Sequence, residues 1–319
     1  MAGTGSQLID FEVRRPRQDA VFRAVARVAG GTTLALMAVI FIVLLIRSYR
    51  VLHVYGISKF LTTQHWVPEG GVFGIGSLLF NTLMIGVVAL VIAVPVSLCA
   101  ALLISEYSPP AVGSALKALM ELLAAIPSVV FGYWGLAYLT PRVIPLSRWL
   151  AGHLAFIPLF KVSSTSLAGS TFIAGIVVAL MVSPVLTAVA QEVFSQAPNG
   201  QREAALALGG TRWGMIRKVV LPFGRGGIVG GTMLAFGRAV GETVAVVVLI
   251  SATQNRQLHI LESGANSISA LIAETWGESN PIGLSALMAA GLTLFLFTLV
   301  VNATASVIVN RTAKAGGQS

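Results

Sequence analysis

Six stretches of this 319-residue chain, 28–46, 78–104, 122–140, 167–190, 226–252 and 284–309, run for 19 to 27 residues each, and only the fifth of them contains charges. At ~1.5 Å per helical residue, about 20 apolar residues cross a ~30 Å hydrocarbon layer. A segment in lipid must satisfy its own backbone, and runs of this length do so as helices. The pattern therefore predicts an all-α polytopic membrane protein with six transmembrane helices. Composition agrees, with 10% charged and 55% hydrophobic residues, against roughly 25% charged in soluble proteins. This excludes an ordinary water-soluble enzyme. The formal charge of +9 does not mark a nucleic-acid partner, because the 21 Lys and Arg are dispersed at the ends of apolar runs and form no single basic face. The one cysteine, Cys99, lies inside an apolar run. It provides neither a disulfide framework nor a metal cluster and reads as a small buried hydrophobe.

Along the chain, a polar N-terminal tail (1–27) precedes the first span (28–46), and its apolar core begins too late for a cleavable signal peptide. An external segment (47–77) follows. The remaining spans occupy 78–310, with a long connection at 191–225 and a short C-terminal tail at 311–319. Residues 143–160 contain Pro145, Arg148, His153 and Pro158, so this piece is too short and polar to span and reads as interfacial or re-entrant. Six spans put both termini on one side. That side carries 13 of the 21 basic residues and the other carries 7, Arg238 lying within a span. The positive-inside rule makes the richer side cytoplasmic and the chain a multi-pass membrane protein, with the lipid bilayer as its surroundings. Pro95, Pro127 and Pro184 fall within apolar runs and kink them unless neighbours satisfy the freed carbonyls.

The connection 191–225 is patterned as two short helices. Asn199 can cap the first, Gly209 and Gly210 can end it in the left-handed conformation, Thr211 can cap the second, and Pro222 is expected to stop it. The result is a cytoplasmic knob whose small and apolar residues suit a groove on a soluble partner. Its sequence resembles the coupling loop of ATP-binding-cassette importer permeases: Glu-Ala-Ala, three residues, Gly, nine residues, Ile, any residue, Leu-Pro. Here the pattern is met by Glu203, Ala204, Ala205, Gly209, Leu221 and Pro222, with Val219 in place of Ile. Further stretches, Gly237-Arg-Ala-Val-Gly-Glu-Thr-Val-Ala-Val, Ala125-Ile-Pro-Ser-Val-Val-Phe-Gly-Tyr-Trp-Gly135 and Ser105-Glu-Tyr-Ser-Pro109, resemble the phosphate-specific members of that family, the PstC type.

The resemblance implies a type I (MetI-like) importer fold. It also implies a similar sister permease (PstA-like), a pair of ATPase subunits (PstB-like) and an external phosphate-binding protein (PstS-like), and assigns Glu203, Ala204, Ala205, Gly209, Leu221 and Pro222 to ATPase coupling. No Gly-x-x-x-x-Gly-Lys-Ser/Thr loop is present in the chain, so ATP is expected to be bound by the partner ATPase, and this subunit is not expected to be an enzyme or to hold a cofactor or metal of its own.

Arg238 and Glu242 stand four apart, halfway along the fifth run. On one helix they would share a face and pair with each other or line water, because a lone charge at that depth costs several kcal/mol. Arg238 can donate two parallel hydrogen bonds to an oxyanion, with Glu242 orienting it or replacing the anion in the empty state. A packing ion pair without substrate contact is the alternative. Ser128, just after Pro127, can offer its hydroxyl to the path or bond a helix carbonyl. Other oxyanions (sulfate, molybdate, phosphonate) would be served by the same arginine. An ion-coupled secondary transporter or a channel has the same composition but no ATPase to dock. An intramembrane hydrolase is not supported, since His53, His65, His153 and His259 all lie outside the spans.

Overall fold

The computed structural model describes residues 17–163, 166–250 and 259–316. Residues 1–16 of the expected N-terminal tail, positions 251–252 of the fifth run and residues 317–319 lie outside the described residues.

The first helix, α1 (Arg17–Tyr55), begins before its apolar run and ends after it. Arginines, good helix formers, stand in the prolongations at both ends. The segment expected to be external is itself folded: α2 (Ile57–Thr62) precedes a two-stranded antiparallel hairpin, β1 (Trp66–Val67) and β2 (Val72–Phe73). Trp66 stands opposite Phe73 with ring centroids 5.5 Å apart. Phe60, Trp66, Phe73 and Ile75 are buried against Ile268, Leu271 and Leu287, so this cap seals one end of the bundle.

The second span is α3 (Gly76–Leu102), which closes in a wide π-turn at Leu103–Tyr107. The third departs from expectation. Residues 122–140 are not one helix, because α4 (Pro110–Ala125) and α5 (Ser128–Trp134) meet at a sharp bend. The axes on either side of it differ by 89°. Proline disfavours helical geometry at the residue before it, and Ile126 is extended, with φ −66° and ψ 128°. Beyond the bend the helix continues from α5 through a π-turn (Gly135–Leu139) into α6 (Thr140–His153). Residues 143–153 belong to α6 and are continuous with α5, and the bent pair they complete has the geometry of either a broken span or a re-entrant loop. The residues that follow pack on the loop that precedes α12 (Ile268–Thr275): Ile260 N–H donates to Leu159 O at 3.1 Å, and the buried Glu262 carboxylate accepts from Ser163 Oγ at 2.9 Å.

The fourth span, α7 (Thr171–Ser195), is the centre of the bundle. It is the most enclosed of the spanning helices and is apolar on nearly every face. Helix α3 lies along it, and close approach is bought by glycine: a Cβ at Gly175 would collide with the Val88 side chain. Two hydroxyls converge on the carbonyl just before Pro184. Ser97 Oγ of α3 and Thr187 Oγ1 both donate to Ser183 O, at 3.0 and 2.8 Å.

After α8 (Asn199–Ala207) comes α9 (Arg212–Met215), then a π-turn (Ile216–Val220) and α10 (Leu221–Gly241). Pro222 does not stop this helix. The five-residue turn before it widens the coil where the ring would strike the preceding turn and where an N–H is missing, so one 30-residue rod runs from Arg212 to Gly241. A break at Glu242 and Thr243 separates it from α11 (Val244–Leu249). The last span, α13 (Pro281–Gly316), pairs with α1, as Phe41 on Phe295 and Ser285 Oγ donating to Arg47 O at 2.7 Å. Among the described residues five helices are long and apolar enough to cross a membrane, or six if the bent pair is one span. Outside these spans, burial pushes the Glu274 carboxyl of α12 up, opposed by the Asn266 Nδ2 hydrogen bond at 2.9 Å.

Candidate functional site

Two regions carry the residues singled out from sequence, and the rod from Arg212 to Gly241 joins them. At the knob end, α8 closes in a Schellman turn: Gly210 N–H donates to Ala205 O at 3.1 Å and Gly209 N–H to Leu206 O at 3.0 Å. Gly209 has φ +79°, where a side chain costs about 1–3 kcal/mol. Gly210 is required for a different reason, since a Cβ there would fall well inside contact distance of the Ala205 carbonyl oxygen. The expected caps are half right. Thr211 Oγ1 accepts from Gly214 N–H at 3.1 Å, but the cap of α8 is Pro198, and Asn199 is its first residue.

The motif residues divide by position. Glu203 and Ala204 are exposed, whereas Ala205 turns inward onto a buried cluster of Ala101, Phe194, Met215 and Ile216. Leu221 packs on the same cluster and Pro222 is half-buried at the start of α10. Those two anchor the knob to the bundle, while Leu208, 90% exposed, Leu206 and Trp213 form its apolar tip. Sequence reasoning missed the root of the knob. Arg202 Nη1 pairs with Glu106 Oε1 at 2.9 Å, the Glu106 side chain being 4% exposed, and Arg202 Nη2 donates to Phe194 O. Arg212 Nη1 reaches Glu106 O at 3.3 Å. Both basic residues thus close on the π-turn at the end of α3. The signal was present in Ser105-Glu-Tyr-Ser-Pro109, a stretch singled out without a partner for its charge.

At the membrane end, pairing of Arg238 with Glu242, one of the two expected arrangements, is not found. Helix α10 ends at Gly241, and Glu242, with φ −65° and ψ 126°, turns the chain away beyond it. Among the described residues no ion pair joins them. Glu242 instead caps the next half-helix, Oε1 accepting from Ala245 N–H at 3.2 Å. Its carbonyl accepts from Ser269 Oγ at 2.9 Å, and Ser269 Oγ lies 3.1 Å from Ser267 Oγ, the cap of α12. The break therefore exposes helix ends in the middle of the bundle, a place where membrane transport proteins handle polar substrates.

Arg238 is exposed on the flank of α10, in an open groove of about 550 Å³ between α7, α10 and α13. Asn302 and Thr298 supply the neutral polar groups of this groove, with Val182 and Leu234 on its apolar walls. A guanidinium so placed offers its donors sideways, out of this chain. Ser128 is the first residue of α5, half-buried beside the Pro127 bend, and it does not line the Arg238 groove. Gly132 and Gly135 of the same stretch let α5 lie against Ala245 of α11 and Val177 of α7.

The comparisons with known proteins fit this architecture. Residues 93–314 match the family model described as "Binding-protein-dependent transport system inner membrane component". The chain is 38% identical over 311 residues to the phosphate transport system permease protein PstC 2 of Mycobacterium tuberculosis, covering 96% of each. It is 32% identical to the phosphate transport system permease protein PstC of Xylella fastidiosa, over 96% of this chain and 95% of that one, and 35% identical to that of Pasteurella multocida, over 93% of each. Among solved structures it superposes on a chain of a bacterial alginate ABC transporter in complex with alginate pentasaccharide-bound periplasmic protein. That match has TM-score 0.62 and 17% identity and covers 92% of this chain and 96% of that chain. A chain of the MetNI methionine ABC transporter in an inward-facing conformation matches with TM-score 0.50 and 17% identity, covering 75% of this chain and 94% of that chain. The fold is thus that of the type I importer permeases, and with most of its length matched to the family model the chain belongs to the binding-protein-dependent transport system inner membrane components.

Proposed function

We propose that this chain is the transmembrane permease subunit of an ATP-driven phosphate importer, forming half of the translocation pathway. The observation that carries the reading is identity of 32–38% over nearly the full length to permeases of phosphate transport systems. Glu203, Ala204, Ala205, Gly209, Leu221 and Pro222 form and root a knob for a separate ATPase pair, where ATP is bound and hydrolysed. Arg238 faces the pathway, which a similar sister permease completes, and an external phosphate-binding protein delivers substrate. Glu242 holds the break that exposes the helix ends, and Ser128 offers its hydroxyl to the path beside the Pro127 bend.

The chemistry asked of this chain is recognition without reaction. A guanidinium presents a planar fork to two oxygens of a tetrahedral anion, and in a groove of low dielectric each such bond is stronger than in water. The knob transmits ATPase motion to that groove. Uptake of radiolabelled phosphate in cells should fall to background when the separately encoded ATPase is deleted, and excess sulfate should not compete. Uptake that survives the deletion would point to a secondary transporter or channel, and competition by sulfate, molybdate or phosphonate would point to another oxyanion.

The orientation follows from the charge bias, with both termini and the knob cytoplasmic. In a Cys99→Ser background, single cysteines replacing Lys59 and Glu278 should react with an impermeant maleimide in intact cells. Those replacing Lys117 and Arg212 should react only after permeabilisation. Labelling at position 212 in intact cells would reverse the topology.

A further inference from the structure

At the end of the bundle opposite the knob, α1 and α13 part to leave a cleft of about 590 Å³ on the surface that α1 turns outward. Its lining is sorted by depth. Helix α1 runs toward this end and α13 away from it, so Val43 and Met288 lie deepest in the bilayer, with Ile46 and Leu284 above them. Arg47 and Arg50, three apart and therefore on one face, stand at the rim with Trp276. Both arginines are exposed, and among the described residues neither guanidinium has an acidic partner. The start of α13 is already capped, Asn280 Oδ1 accepting from Gly283 N–H at 2.7 Å, so the cationic character of the rim comes from the arginines.

An apolar slot that opens onto two unpaired arginines and a tryptophan at the membrane boundary has the polarity of one upright phospholipid. Tryptophan prefers that depth, and arginine forks match phosphate oxygens. A soluble anion would have no use for the apolar half. We infer that this cleft binds an anionic phospholipid, its phosphate held by Arg47 and Arg50 at the rim and an acyl chain lying along Val43, Ile46, Leu284 and Met288. The bound lipid fills the seam between the first and last spans, whose packing places Ser285 Oγ on Arg47 O.

The test is native mass spectrometry of the full chain released from detergent micelles, after incubation with phosphatidylglycerol, phosphatidylcholine or inorganic phosphate alone. Phosphatidylglycerol should be retained over phosphatidylcholine by at least about fivefold, near the preference of a single basic residue for an anionic membrane. The preference should vanish in the Arg47→Gln/Arg50→Gln double variant and persist in Lys59→Gln, an exposed change nearby. Should the double variant fail to fold, Arg47→Lys/Arg50→Lys replaces it, with retention reduced and the preference kept. Equal retention of the two lipids by the wild type, unchanged retention in the double variant, or displacement of phosphatidylglycerol by inorganic phosphate would each overturn the assignment, the last naming the free ion as occupant.

Discussion

Replacing Arg238 by glutamine is expected to lower phosphate uptake about 10- to 100-fold while leaving the subunit inserted and assembled. A charge-assisted hydrogen bond contributes roughly 1.5–3 kcal/mol, and each 1.4 kcal/mol is tenfold. The arginine lies exposed in the α7–α10–α13 groove, so its loss leaves no cavity in the core. Glu242→Gln should be mild, below about threefold, because the amide oxygen can still accept from Ala245 N–H. Without an ion pair between them, the two changes should be additive to within about 0.5 kcal/mol. Recovery of uptake in the Arg238→Gln/Glu242→Gln double variant would instead mean that the residues neutralise each other in the working transporter, and would remove Arg238 from the anion path.

The knob should respond as strongly. Gly210→Ala pushes a methyl group against the Ala205 carbonyl, which opens the Schellman turn and misplaces the tip. Co-purification of the ATPase and phosphate uptake should both fall at least about tenfold, an effect on the scale of the 1–3 kcal/mol of local strain. Leu208→Ser separates docking from folding, since this residue is 90% exposed and its truncation disturbs nothing inside the chain. It should weaken ATPase association and leave thermal stability unchanged. Glu106→Gln, which loses the charge opposite Arg202, should loosen docking by a few fold. Normal ATPase retention in both Gly210→Ala and Leu208→Ser would remove the knob from coupling.

Much of this was legible because membrane solvent makes length and polarity decisive. The apolar runs located the spans, and the Glu203 motif located the knob together with its left-handed Gly209. What failed to show in the sequence are events where backbone geometry overrides pattern. Pro127 and Pro222 look alike as helix breakers, yet the first bends the chain by 89° and the second sits inside a continuous rod. The difference is the π-turn at Ile216–Val220, which no residue type announces. The break after Gly241 was equally silent. No proline marks it, and it is held from a distance by Ser269 on the Glu242 carbonyl. A four-residue spacing therefore allowed a pair that is not made among the described residues. The tie of Arg202 to Glu106 joins positions 96 residues apart, beyond any local periodicity.

The rod from Arg212 to Gly241 has a mechanical consequence. Its ends are the knob tip and the arginine groove, and between Arg212 and Arg238 lie 26 helical steps, or about 39 Å at 1.5 Å each. A tilt of about 10° at the foot of such a lever sweeps the far end through about 7 Å, more than the ~5.4 Å of one helical turn. On the coupling role proposed for the knob, a partner gripping Trp213 and Leu208 would gear the travel of Arg238 to the angle of its grip. The wide turn at Ile216–Val220 is the joint near the fulcrum, and its stiffness sets how much of that angle arrives.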